Sequence, residues 1–197
     1  MNSRDYIETD ERKKQIINSA ISVLTEIGYV KTTLSKIAQN INISTGLISY
    51  HFSGKEDLMQ NTLRYLVLEE RAFIQERVEK EKSNMNKLIT YIKASLAYQA
   101  AYRDNNIALL EIVFNARTPE NIPYYLVDID EKDALDDLLD EILRNGVLAK
   151  EFVDIDPKVI AVIVRGAISG SILKTNDELN LEVYTEEIIK SVKRMVN

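Results

Sequence analysis

Apolar residues recur at three- and four-residue steps along most of the 197-residue chain, a spacing that places them on one face of an α-helix. The first such series lies between Asp10 and Ile27 and consists of Ile16, Ile17, Ala20, Ile21, Leu24 and Ile27. Asp10 or Thr9 is suited to cap the start of this helix, and Gly28 is suited to end it. The pattern therefore predicts an amphipathic first helix.

Two shorter helices are predicted next. The second has its apolar residues at positions i, i+3, i+4 and i+7, namely Leu34, Ile37, Ala38 and Ile41. Thr32 or Thr33 is suited to be its N-cap. Asn42 tolerates a left-handed backbone, and Ser44 can cap a third helix that runs to about Phe52. Two short helices joined by a tight turn predict a helix-turn-helix.

The rest of the chain also has helical periodicity. After a break at Ser53 and Gly54, one long helix is predicted from residue 55 to about residue 82. Further helices are predicted at 85–102, 107–117, 133–143, 157–173 and 184–196, separated by Pro119, Pro123, Gly146 and residues 174–178. We therefore predict an all-α fold in two domains. Residues 1–54 form a helix-turn-helix head, and the long fourth helix joins it to a C-terminal helical domain at 55–197.

Charge and composition narrow the class of protein. The net charge of −6 at first argues against DNA as a partner. Residues 1–60, however, hold seven basic and seven acidic side chains, so the whole excess lies beyond residue 60. The chain has no cysteine, its first residues have no apolar signal core, and its apolar runs are too short to span a bilayer. We expect a cytoplasmic protein with no membrane partner.

Enzymatic and metal chemistry find little support. There is one histidine and no cysteine, and no spacing suggests a catalytic triad, a metal site or a phosphate-binding loop. The run from Asp128 to Asp133 alternates carboxylates as calcium loops do, but the required glycine is absent and Lys132 interrupts it. We therefore expect no catalytic residue, no metal and no cofactor.

Residues 10–60 carry a specific set of motifs. They are Gly28-Tyr29 after the first helix, Thr32-Thr33 and Ile37-Ala38 in the second, Ser44-x-Gly46 opening the third, and His51-Phe52-x-x-Lys55-Glu56-x-Leu58 leading into the fourth. This segment resembles the DNA-binding signature of TetR/AcrR-type regulators. Two residues depart from the pattern: Asn42 stands where glycine is usual, and Ser49 stands where tyrosine is common. The first change is mild, because Asn accepts a left-handed backbone.

The resemblance implies DNA contacts around the third helix, which would enter the major groove. It implies phosphate contacts from Thr33, Tyr50, His51 and Lys55. Base contacts are expected from Ser35, Thr45, Gly46, Leu47 and Ser49. Other interpretations stay open: Thr33 as a plain N-cap, His51 as a capping or core residue, and Leu47 packed inward. Arg12, Lys13 and Lys14 are interpreted as a solvated basic face.

The C-terminal domain is expected to bind a largely apolar small molecule and to form a dimer. The polar and aromatic residues expected around the small molecule are Tyr91, Tyr98, Tyr102, Glu111, Phe114, Asn115, Tyr124 and Tyr125, each of which could instead be plain core. A buried Glu111 would favour a cationic or hydrogen-bond-donating ligand. Gly166 and Gly170 let another helix approach closely, across a two-fold axis or within one subunit.

These expectations describe a repressor. By resemblance, a homodimer binds a palindromic operator in double-stranded DNA, and a small-molecule effector releases it. Effector binding would swing the fourth helix and alter the spacing of the two heads, so that effector and DNA oppose each other. The alternative is a ligand-independent architectural DNA-binding protein with the same head.

Overall fold

The protein is helical throughout the part of the chain that the structure describes. The computed structural model describes residues 3–118, 120–126, 133–172 and 180–197, with side chains in these ranges except at 3–10 and 133–137. These ranges contain nine α-helices and one short 3-10 helix and no β-strand. The all-α prediction is confirmed. The acidic run at 128–132, Pro119 and residues 174–178 lie outside the described residues.

The helices follow one another in the predicted order. Their bounds are α1 Ser3–Lys31, α2 Leu34–Asn40, α3 Thr45–His51, α4 Lys55–Val78, α5 Asn84–Ala101, α6 Arg103–Asn115, α7 Asp133–Leu148, α8 Pro157–Ile172 and α9 Leu181–Val196. The 3-10 helix, η1, covers Tyr124–Leu126. By packing, the chain forms two compact units, one of Met1–Leu66 with Arg103–Ile129 and the other of Val67–Tyr102 with Asp130–Asn197. The predicted division after residue 54 stays a prediction.

The first unit is built on α1, which packs against α2 and α6. The apolar face predicted for α1 is buried, with Ile16, Ala20 and Leu24 fully covered. The buried hydroxyl of Ser19 donates to the carbonyl of Ile37 at 2.9 Å, so α1 is also hydrogen-bonded to α2. A buried polar group without such a partner destabilises the fold. The position of α2 is thereby set by packing and by a hydrogen bond together.

Both ends of α1 differ from simple expectation. The helix begins at Ser3, so Thr9 and Asp10 lie inside it and neither is its N-cap. At the other end Gly28 has φ 75° and ψ 167°, which interrupts the helical backbone as predicted. One further turn then continues to Lys31. The start was missed because the prediction relied on apolar periodicity, and that begins only at Ile16.

The second unit has its own core. Its fully covered side chains include Ile74, Leu88, Ile92, Leu139, Leu143, Ala161, Val164 and Val196. Gly146, predicted to separate two helices, lies inside α7 instead. A side chain there would overlap the ring of Phe152, so the glycine is needed for close packing rather than as a stop. Among the described residues, no helix is long and apolar enough to cross a membrane.

Candidate DNA-binding surface and effector site

The helix-turn-helix is formed by α2 and α3 with the predicted local chemistry at both helix starts. Thr33 caps α2 by accepting the N–H of Lys36 at 3.3 Å, and Ser44 caps α3 by accepting the N–H of Leu47 at 3.2 Å. In the turn Asn42 has φ 53°, the left-handed backbone expected there. These interactions satisfy N–H groups that a helix start leaves open. The predicted caps and turn are confirmed.

The short helix α3 has one buried side and one exposed side. Ile48 and Phe52 are buried and pack α3 against the rest of the first compact unit. The side chains predicted to reach bases or phosphates lie mainly on the open side: Thr33, Ser35, Thr45, Ser49 and Tyr50 are exposed, as is Gly46, and Leu47 is half-buried. Tyr50 is 79% exposed, the most among the aromatic side chains that the structure describes. The arrangement leaves one face of α3 free for a partner.

His51 ends α3 and is partly exposed. Its ring meets the ring of Tyr50 edge-on at 5.0 Å between centroids. The pKa of His51 is lowered by partial burial and by the positive charges of Lys13 and Arg12. His51 is therefore neutral at pH 7 and has one N–H to donate. The effect on its pKa also indicates that Arg12 and Lys13 of α1 add positive potential beside the end of α3.

Lys55, the first residue of α4, is held by the protein itself. Its Nζ donates to the carbonyl of Tyr29 at 2.7 Å and lies 4.2 Å from the centre of the Tyr29 ring. The side chain is half-buried, and this burial lowers its pKa. An ammonium group has three N–H donors, so the bond to Tyr29 leaves two of them for a phosphate.

Glu111 lies in α6 and is bonded to the end of α1. Its Oε2 accepts the backbone N–H of Tyr29 at 2.8 Å and lies 3.4 Å from Nδ2 of Asn115. A Cβ added at Gly28 would be 3.2 Å from the same oxygen. The carboxylate predicted to meet a ligand thus has protein donors in this structure.

The remaining residues predicted for the effector site fall into two groups, one in each compact unit. In the first unit Tyr124 is buried, while Phe114 and Tyr125 are exposed with ring centres 5.9 Å apart. In the second unit Tyr91 and Tyr98 are buried. Tyr102 of that unit is 44% exposed, with its ring centre 4.6 Å from that of Tyr98. No single unit contains the whole predicted set.

Two polar residues of the second unit were missed by the sequence reasoning. Glu70 stands in the apolar stripe of α4, three residues from Val67 and four from Ile74, and burial raises its pKa to about 7. Ser95 of α5 is buried, and its hydroxyl has no hydrogen-bond partner among the described residues. Phe73, on the Glu70 face of α4, contacts Tyr98, on the Ser95 face of α5, at 5.3 Å between ring centres. The sequence signal that could have identified Glu70 is a carboxylate at a position where the helical spacing of α4 predicts an apolar residue.

One face of α8 is apolar and uncovered. Val159, Val162 and Ile163 are exposed at helical spacing, and Val162 is 68% exposed. Gly166 continues this face, and a Cβ added there would have no described neighbour within 4 Å. A Cβ at Gly170 would make only an ordinary contact, 3.9 Å from the hydroxyl of Tyr184. Packing within the described subunit therefore requires neither glycine.

A known family matches the region that contains the residues with predicted DNA contacts. Residues 16–62 match the family model described as bacterial regulatory proteins, tetR family. Over this segment the chain is similar to the TetR family. The match covers most of α1, all of α2 and α3, and the start of α4, which includes every residue with a predicted DNA contact.

Relatives by sequence share the same region. The chain is 33% identical over 85 residues to the HTH-type transcriptional regulator BetI of Burkholderia ambifaria (strain MC40-6). The aligned part is 43% of the present chain and 44% of that regulator. The chain thus spans less than half the length of the curated relatives it matches.

Solved structures share the fold over nearly the whole chain. FadR from Bacillus subtilis, in complex with stearoyl-CoA, has a TM-score of 0.74 at 19% identity and covers 93% of this chain and 99% of its own. AibR, in complex with isovaleryl coenzyme A and operator DNA, has a TM-score of 0.74 at 17% identity and covers 91% of this chain and 97% of its own. At such identities the likeness shows the fold alone.

Proposed function

We propose that this protein is a TetR-family transcriptional regulator that binds a palindromic operator as a homodimer and acts as a repressor released by a small molecule. The observation that carries the proposal is the capped helix α3, buried through Ile48 and Phe52 and open on its other side. A helix held in this way can enter the major groove of DNA without refolding.

The open side of the head divides into two kinds of contact. Thr45, Leu47 and Ser49 on α3, with the backbone at Gly46 and with Ser35 on α2, are proposed to reach base edges. Thr33, Tyr50, His51 and Lys55 are proposed to bind phosphates, which fix the register of the helix on the duplex. The charges of Arg12 and Lys13, which act on His51, would add to the attraction between the head and the polyanion.

A dimer is proposed through α8 and α9. The exposed stripe of Val159, Val162 and Ile163 is an apolar surface that water covers in the isolated subunit. Gly166 lies on the same face and would let a second helix approach closely. Two heads related by a two-fold axis would read two half-sites about one helical turn apart, which is why a palindrome is expected.

The effector site is proposed in the second compact unit, around Phe73, Ser95 and Tyr98. The rings of Phe73 and Tyr98 provide apolar contact. The buried Ser95 hydroxyl has no hydrogen-bond partner among the described residues, and burial raises the pKa of the Glu70 carboxyl group to about 7. A largely apolar molecule with a cationic or hydrogen-bond-donating group would satisfy both. That FadR and AibR were solved with acyl-CoA ligands supports a small-molecule site in this fold.

The proposed release follows from linkage. An effector that binds the free form more tightly than the DNA-bound form lowers DNA affinity, and DNA lowers effector affinity by the same factor. Calorimetric titration of an effector with and without operator measures this factor. Equal affinities would exclude the release mechanism and favour the architectural alternative.

The DNA-binding proposal is tested by selecting bound fragments from a random duplex pool. We expect enrichment of an inverted repeat, and we expect the Leu47→Ala protein to lose affinity mainly for fragments with an A·T pair at one position of each half-site. Ala97→Ser on the exposed side of α5 is the matched control. No enriched sequence, or a monomer bound to single half-sites, would contradict the proposal.

A further inference from the structure

We infer that Glu111 of α6 is a positioning residue for DNA binding. Its carboxylate binds the N–H of Tyr29 at the end of α1, and the carbonyl of Tyr29 binds Lys55 at the start of α4. The inference rests on the proposed function. It assigns Glu111 a role that differs from the ligand contact predicted from the sequence.

The first link is between α6 and the end of α1. Gly28 leaves the helical path, and the N–H of Tyr29 then donates to Oε2 of Glu111 at 2.8 Å. A hydrogen bond to a charged acceptor is stronger than one between neutral groups. The space at Gly28 is shaped for this carboxylate, since even a methyl group there would lie 3.2 Å from the same oxygen. Glu111 therefore fixes where the chain runs after Gly28.

The second link is between that turn and α4. The carbonyl of Tyr29 accepts two donors, the N–H of Thr32 at 3.2 Å and Nζ of Lys55 at 2.7 Å. The ring of Tyr29 lies under the same ammonium group at 4.2 Å, a distance suited to a cation–π interaction. Tyr29 thus bonds to Glu111 through its N–H and to Lys55 through its carbonyl.

The two links have a consequence for the head. Lys55 follows α3 by only four residues, and its flexible stem would otherwise spread the ammonium over many positions. A cation held in one place loses less entropy when it binds a phosphate. Glu111 contributes to DNA affinity without touching DNA, since it holds the residue that orients Lys55.

The test uses the full-length protein and the duplex that the wild type enriches. Glu111→Met keeps a side chain of similar length and removes the acceptor, so we expect about tenfold weaker DNA binding, which corresponds to about 1.4 kcal/mol. Glu111→Gln keeps an amide oxygen for the Tyr29 N–H and should restore most of the affinity. Glu26→Ala, an exposed carboxylate near the same end of α1, is the matched control and should bind as the wild type does.

A double-mutant cycle separates positioning from general stability. In a Lys55→Met background Glu111→Met should cost less than twofold, because the cation that it positions is absent. Thermal unfolding of each variant shows whether it is folded. The inference is overturned if Glu111→Met binds like the wild type, or if its cost is the same in both backgrounds. It is also overturned if glutamine does not restore affinity, or if neither the Met nor the Gln variant folds. If the wild-type protein enriches no duplex, the proposed function fails and the inference fails with it.

Discussion

Replacement of Gly28 by alanine tests the backbone geometry at the end of α1. Gly28 has φ 75° and ψ 167°, a region that is essentially restricted to glycine, and holding another residue there costs about 1–3 kcal/mol. The new Cβ would also lie 3.2 Å from Oε2 of Glu111, so the carboxylate must give way and its bond to Tyr29 weakens. A charge-assisted hydrogen bond contributes about 1.5–3 kcal/mol. We expect a total loss on the order of 3 kcal/mol in the free energy of unfolding.

The measurement is urea unfolding at pH 7, followed by circular dichroism, with thermal unfolding as a second assay. For a chain of this size a loss of that order lowers Tm by roughly 6–12 °C. Gly46→Ala is the matched control in the same unit. Gly46 lies within α3 with its added Cβ 3.8 Å from the hydroxyl of Ser44, so alanine fits and should leave stability unchanged or raise it by up to about 1 kcal/mol.

The reasoning would be refuted by a Gly28→Ala protein within about 0.5 kcal/mol of the wild type, the range of an ordinary surface substitution. An equal loss in the Gly46 control would also refute it, because glycine content rather than backbone geometry would then explain the effect.

Three further predictions concern α3, α4 and α8. Ser44→Ala removes the cap of α3 and should cost about 1 kcal/mol in stability and weaken DNA binding, measured by urea unfolding and duplex titration, whereas Ser22→Ala on the exposed side of α1 should change neither. Burial raises the pKa of Glu70 from its ordinary value of 4.5 to about 7. As pH rises, the unfolded chain therefore loses this proton before the folded protein does, and the free energy of unfolding falls between pH 4.5 and about pH 7. The loss is on the order of 3 kcal/mol by pH 8, and Glu70→Gln should lack it; the same pH dependence of unfolding in both proteins would count against this assignment. Val162→Glu puts a charge on the exposed face of α8 and should give a monomer in light scattering at micromolar concentration, while Ala97→Glu on α5 should leave the dimer intact.

Local chemistry was enough to predict the helix-turn-helix. The caps at Thr33 and Ser44 bond to N–H groups only three residues away, and the left-handed backbone at Asn42 is a preference of that residue itself. Each feature can therefore be predicted from neighbouring residues in the sequence. Helical spacing likewise predicted the order of the helices and the buried side of α3.

What could not be predicted depends on residues far apart or on close packing. Glu111 bonds to Tyr29 across 82 residues of chain, and no spacing rule relates the two. Glycine is common at helix ends, so the sequence predicts a helix stop at Gly146, whereas this residue lies within α7 under the ring of Phe152. Glu70 was overlooked because a single carboxylate barely changes an apolar pattern, although its burial changes its pKa.

The hydrogen bond from Tyr29 to Glu111 also bears on the construction of hybrid regulators. A designer who wishes to combine this head with another effector-binding body would naturally exchange residues 1–54, the predicted head. That exchange would separate Tyr29 from both Lys55 and Glu111, each of which is hydrogen-bonded to the main chain of Tyr29. A functional hybrid should therefore need the recipient to supply a lysine and an acceptor at the matching places, while the side chain at position 29 itself remains open to change among aromatic residues.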